Sequence, residues 1–136
     1  MATLLRMDAD ERERVIARLA RELEGEADVA FAYLHGSFLD GAVFHDVDLA
    51  VYAAGVDAAA FPLVALADRL SVAVGLPVDV RLLNGAPVAF VYHSLRGRLL
   101  LCRDADLMAE VFEDTVRRYL DAAPLLRQAT REAFAG

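Results

Sequence analysis

Hydrophobic residues recur at helical spacing near the start of the chain. Val15, Ile16, Leu19 and Leu23 share one stripe and charges fill the opposite face, which predicts an amphipathic helix over residues 8–24. The pattern then changes. Val29–His35 (VAFAYLH) is apolar throughout and reads as a buried strand, ended by Gly36-Ser37. A turn or short helix follows, broken near Gly41. Over residues 47–52 the apolar positions alternate, with Val47, Leu49 and Val51 on one side and Asp46, Asp48, Ala50 and Tyr52 on the other, as in a second strand.

Helical spacing returns over residues 57–74, where Leu63, Leu66, Ala67, Leu70 and Val74 form the stripe and Pro62 fits the first turns. Residues 77–83 (PVDVRLL) predict a third strand and Asn84-Gly85 a turn. Pro87 opens a helix that buries Val88, Val91, Tyr92 and Leu95 and ends at Gly97. Residues 98–103 read as a fourth strand. From Asp104 the chain is helical, with a bend or break expected at Pro124.

The connection between the first two strands is too short for a parallel crossover, so they are predicted to be antiparallel neighbours. The remaining strands alternate with helices. The expected fold is α+β: one domain over residues 1–136, a small mixed sheet packed with helices, ending in a helical segment from about residue 104.

Composition narrows the chemistry. The net charge is −7, and all fourteen basic residues are arginine. Without lysine there is no P-loop, and an acidic chain is a poor general ligand for nucleic acid. Any phosphate chemistry must draw positive charge from metal, arginine or backbone N–H groups. No run approaches the roughly 18 apolar residues of a membrane span, and the start lacks an export pattern, so a cytoplasmic location is expected. Cys102 stands alone and is expected to be a small buried hydrophobe.

Against that background three aspartates stand out. Asp46 and Asp48 share one face of the second strand, about 6–7 Å apart. Asp79 sits in VDVRL, and if that strand lies beside the second, all three meet on one face. Asp-x-Asp alone is more often a solvated pair. Three convergent carboxylates, by contrast, are suited to hold two divalent cations about 3.5–4 Å apart, the arrangement for phosphoryl or nucleotidyl transfer. Gly36-Ser37 adds a turn whose N–H groups and hydroxyl suit a phosphate. His35 and His45 flank this motif and are candidates for touching phosphate or metal. Arg81 shares the face of Asp79, to contact phosphate or to pair with a carboxylate. His93 is expected on a helix surface.

Together HGSFLDGAVFHDVDLAVY and VDVRLLN resemble the minimal nucleotidyltransferases of the DNA polymerase β-like superfamily, in particular the MNT antitoxins paired with HEPN toxins. The likeness extends from Val29 to about Leu125. It implies that Gly36 and Ser37 bind nucleotide phosphates, that Asp46, Asp48 and Asp79 hold Mg²⁺, and that Asp79 helps deprotonate the attacking hydroxyl. The implied reaction transfers AMP from ATP to a tyrosine of a HEPN-family toxin and silences it. The alternative is a catalytically inert antitoxin that masks its partner by binding. Transfer to a small molecule is disfavoured, because too little chain remains for an acceptor domain. A homo- or hetero-oligomer is compatible with either.

Two departures from the family pattern are visible. Eight residues separate Ser37 from Asp46 where many members have ten. Leu39-Asp40 precedes Gly41 where members often carry an arginine. On the last helix, Met108, Phe112, Arg117, Arg118, Tyr119 and Leu120 are candidates for a docking surface, although the apolar ones at this spacing more often form internal core.

Overall fold

In a computed structural model describing residues 4–134, the two most apolar segments form the middle of the sheet. Strand β2 (Val29–His35) and strand β4 (Val47–Ala53) pair antiparallel, with Leu34 opposite Leu49 and His35 opposite Asp48. Strand β5 (Val78–Leu82) lies parallel to β4, and strand β6 (Arg98–Cys102) runs antiparallel to β2, giving the order β5-β4-β2-β6. The sheet is therefore mixed, as the alternation of strands and helices predicts.

Helices cover both faces. Helix α1 (Ala9–Glu24) starts where Asp8 Oδ1 accepts the Glu11 N–H at 2.8 Å. It buries Ile16, Leu19 and Leu23 with Leu66 and Leu70 of helix α3 (Leu63–Val74) against Val47, Leu49 and Val51. The opposite face carries Phe31, Tyr33 and Ala50. There it meets Val91 and Leu95 of helix α4 (Val88–Leu95) and Leu107, Met108 and Val111 of helix α5 (Ala105–Phe134). Fully burying a side chain of this size is worth about 1.5–3 kcal/mol, so the alternation along β4 fixes which face the aspartates occupy.

Three features differ from the periodicity. The helix expected over residues 57–74 is interrupted: a 3₁₀ turn (Ala58–Ala60) precedes Phe61 in extended conformation, and α3 begins only after Pro62. The proline ring disfavours helical geometry in the residue before it. Of the bend or break expected at Pro124, the break is absent, since α5 runs through it. Pro124 is exposed, which leaves the carbonyl freed by its missing N–H open to water. Two short strands escaped prediction: β1 (Leu5–Arg6) pairs antiparallel with β3 (Val43–Phe44), at a length too short for any alternation to show. Among the described residues, no helix is long and apolar enough to cross a membrane.

Candidate active site

The site forms where β2 ends and β4 begins. Register places His35 of β2, Asp48 of β4 and Asp79 of β5 in one row across three strands. The row lies on the face covered by α4, where the His35 ring meets the Phe90 ring edge-on at 5.6 Å. Parallel pairing of β4 with β5 thus brings Asp48 and Asp79 side by side, and Asp46 immediately precedes β4.

Gly36 closes the row. Its φ of +84° and ψ of −167° belong to a region that side chains rarely enter, and a β-carbon there would collide with Asp48 Oδ2. The turn backbone and the Asp48 carboxylate therefore share one small space. Ser37 opens the four-residue helix α2 (Ser37–Asp40) and is exposed.

Asp48 registers the crowding of negative charge. Burial, then the charges of Asp46 and Asp79, push its carboxyl up to about 6, and only Arg81 opposes them. His35 moves the other way: burial, with the Arg81 charge, holds its imidazole below the usual range, favouring the neutral ring. His35 Nε2 is enclosed and lacks a hydrogen-bond partner among the described residues.

The three carboxylates do not close into a ligand triad. Among the described residues, no group of three His, Cys, Asp or Glu side chains is placed to hold a metal together. Asp79 is engaged locally: Arg81 Nε donates to Asp79 Oδ2 at 3.1 Å, as residues i and i+2 of a strand share a face. Of the two roles open to Arg81, the structure shows the carboxylate pair. The oxygen-only donors at Asp46 and Asp48, with Asp48 raised by burial and then by like charge, fit a hard divalent cation, and Asp79 joins them if Arg81 releases it.

The loop from Ser37 to Asp46 is held by a residue that the motifs do not reveal. Arg12 of α1 donates to the carbonyls of Phe38 (2.8 Å), Ala42 (3.0 Å) and Met7 (3.2 Å). Its guanidinium also lies 5.7 Å from the ring centroids of both Phe38 and Phe44. An i+4 arginine on a helix looks like ordinary surface in sequence, so nothing there signals the role. Arg12→Ala is expected to cost about 1–3 kcal/mol and to speed amide exchange in residues 38–42 while leaving β2 protected. Unchanged exchange in that loop would show that the β1–β3 ladder alone holds it.

The other candidates divide. His45 is exposed. His93 is exposed on α4, with its ring edge-on to Tyr92 and Tyr119. Met108 and Tyr119 are half-buried, Met108 accepting from Tyr33 Oη at 3.6 Å and Tyr119 stacking on Tyr92 at 3.8 Å. Phe112 and Leu120 are exposed, as are Arg117 and Arg118, the latter 3.6 Å from Asp114. Cys102 is half-buried beside the second core cluster.

Residues 17–106 match a family model described as polymerase beta, nucleotidyltransferase. No curated protein matches the chain. Among solved structures, one similar chain comes from a tyrosine-to-alanine mutant of the toxin–antitoxin MntA–HpeT, with TM-score 0.63 and 26% identity, covering 90% of this chain and 94% of that one. Another comes from a toxin–antitoxin solved with AMP-PNP, with TM-score 0.61, 25% identity and coverage of 90% and 94%. A third belongs to a tri-AMPylated HEPN toxin of Shewanella oneidensis in complex with MNT antitoxin. Its TM-score is 0.59 with 24% identity over 95% and 96% of the two chains, a likeness of fold.

Proposed function

The chain belongs to the polymerase beta nucleotidyltransferase family, and from that premise we propose that it transfers AMP from ATP to a tyrosine hydroxyl of a HEPN-family toxin and so acts as the antitoxin. The observation that supports this most is the contact between the Gly36 turn and the Asp48 carboxylate, which sets a phosphate-binding backbone against an oxygen ligand for metal. The similar toxin–antitoxin structures, one with AMP-PNP and one with an AMPylated toxin, support this choice of partner and transferred group.

In this reading the backbone N–H groups at Gly36 and Ser37 and the Ser37 hydroxyl donate to phosphate oxygens. Mg²⁺ held by Asp46, Asp48 and Asp79 would neutralise the triphosphate and the departing pyrophosphate. The acceptor oxygen attacks the α-phosphorus, the bond to the bridging oxygen breaks, and pyrophosphate leaves with the electron pair. The acceptor proton passes to the Asp79 carboxylate, released from Arg81.

The test is incubation with ATP, Mg²⁺ and a cognate HEPN protein, followed by intact-mass analysis. The partner gains whole AMP increments, and Asp46→Asn yields none. The second reading, an inert masking subunit, is favoured by one observation, the Arg81–Asp79 ion pair at 3.1 Å that occupies one oxygen of Asp79. Stripping the protein from its partner separates the two. Silencing that persists supports transfer, and full recovery of the toxin supports masking.

A further inference from the structure

Beside the Gly36 turn lies a cleft of about 490 Å³, lined by His35, Gly36, Leu39, Asp40, His93, Arg96 and Gly97. One wall is the end of β2 with α2; the other is the end of α4. A triphosphate bound at Gly36 carries several negative charges, yet the near wall offers Asp40, another negative group. The arginines around the site are largely committed. Arg12 is spent on three backbone carbonyls, Arg81 on Asp79 and Arg98 on both oxygens of Glu13.

Arg96 differs. It is exposed, borders the cleft, and has no carboxylate partner among the described residues. Its guanidinium carbon lies 5.6 Å from the Tyr92 ring centroid, and Tyr92 is itself fixed by stacking on Tyr119 at 3.8 Å. An arginine held over an aromatic ring is partly pre-ordered and keeps its N–H fork free for phosphate oxygens. His93 stands on the same wall. His35 lines the near wall, with its Nε2 enclosed behind the cleft surface.

Building on the proposed nucleotidyl transfer, we infer that Arg96, assisted by His93, is the cationic wall that binds the β- and γ-phosphates of the incoming nucleotide and then the released pyrophosphate. The positive charge that the Ser37–Asp46 loop lacks comes across the cleft from the end of α4. Asp40 opposes it and weakens the grip on the same phosphates.

The two residues make opposite predictions, which a merely structural role would not. With ATP, AMP and inorganic pyrophosphate as probes, in Mg²⁺ and without acceptor, Arg96→Ala is expected to weaken ATP and pyrophosphate binding about tenfold, the scale of a lost charge-assisted contact. AMP affinity stays within about twofold, because AMP lacks those phosphates. Arg96→Lys recovers part of the loss, and Asp40→Asn tightens ATP. Unchanged ATP affinity in Arg96→Ala, equal losses for ATP and AMP, or weaker ATP binding by Asp40→Asn overturns the assignment while leaving the transfer reaction standing. A wild-type protein that binds none of the three probes overturns both.

Discussion

Asp48→Asn is expected to abolish nucleotidyl transfer while making the metal-free protein more stable near pH 8. The two effects have one cause. The Asp48 carboxyl titrates at about 6 in the folded protein against an ordinary value of 3.8, chiefly from burial and then from Asp46 and Asp79. Between those two values the folded state holds more protons than the unfolded state, so stability falls as pH rises from about 4 to about 6 and the cost is fully present above. Asparagine keeps the shape and removes the charge. For a half-exposed group, screened by solvent, the gain is on the order of 1 kcal/mol.

Transfer goes the other way, because the charge that destabilises the metal-free fold is the one that a divalent cation needs. Losing it is expected to cost about 10³-fold in rate, the scale of several kcal/mol of charge stabilisation. Protons compete with metal at Asp48, so at subsaturating Mg²⁺ wild-type activity should decline below about pH 6. Thermal unfolding of both proteins at pH 5 and pH 8, with and without Mg²⁺, checks the argument. The variant should be the more stable in chelator at pH 8, the difference should shrink toward pH 4, and Mg²⁺ should raise only the wild type. Equal midpoints at pH 8 in chelator would show that Asp48 bears no such cost.

The parts of this site that were legible in the sequence are those written in local periodicity. The alternation Val47, Leu49, Val51 assigned the aspartates to the opposite face, and the unbroken apolar run of β2 made it a central strand. The adjacency of Asp48 and Asp79 was different in kind. It depends on β5 pairing parallel with β4, which no spacing encodes, and it entered as a condition that the register then met. The Arg81–Asp79 pair was one of two readings that strand geometry left open. What local pattern could not carry was long-range: Arg12 bridging α1 to a loop roughly thirty residues away, the two-residue ladder of β1 with β3, and a cleft wall drawn from the end of α4. At Pro124, where a bend or break is expected, the helix does not break, and it exposes that turn to water.

Gly36→Ala is expected to damage both stability and transfer. Two penalties add at this position. The backbone angles of +84° and −167° are strained for any side chain, at about 1–3 kcal/mol, and the new β-carbon must displace the Asp48 carboxylate. The carboxylate must rotate away, so its oxygens leave their place beside the turn although the backbone row with His35 and Asp79 stays. The expected result is a folded protein that unfolds at lower denaturant and has lost transfer by at least about 10²-fold, since misplacement of a reacting group by 1 Å has that effect. The mechanism is separable from general fragility by a double-mutant cycle. In an Asp48→Ala background the collision is gone and only the strain remains, so the methyl at residue 36 should cost about 1 kcal/mol less than in the wild type. Strict additivity would mean that the turn and the carboxylate do not share space, and the close approach that supports the catalytic reading would lose its meaning.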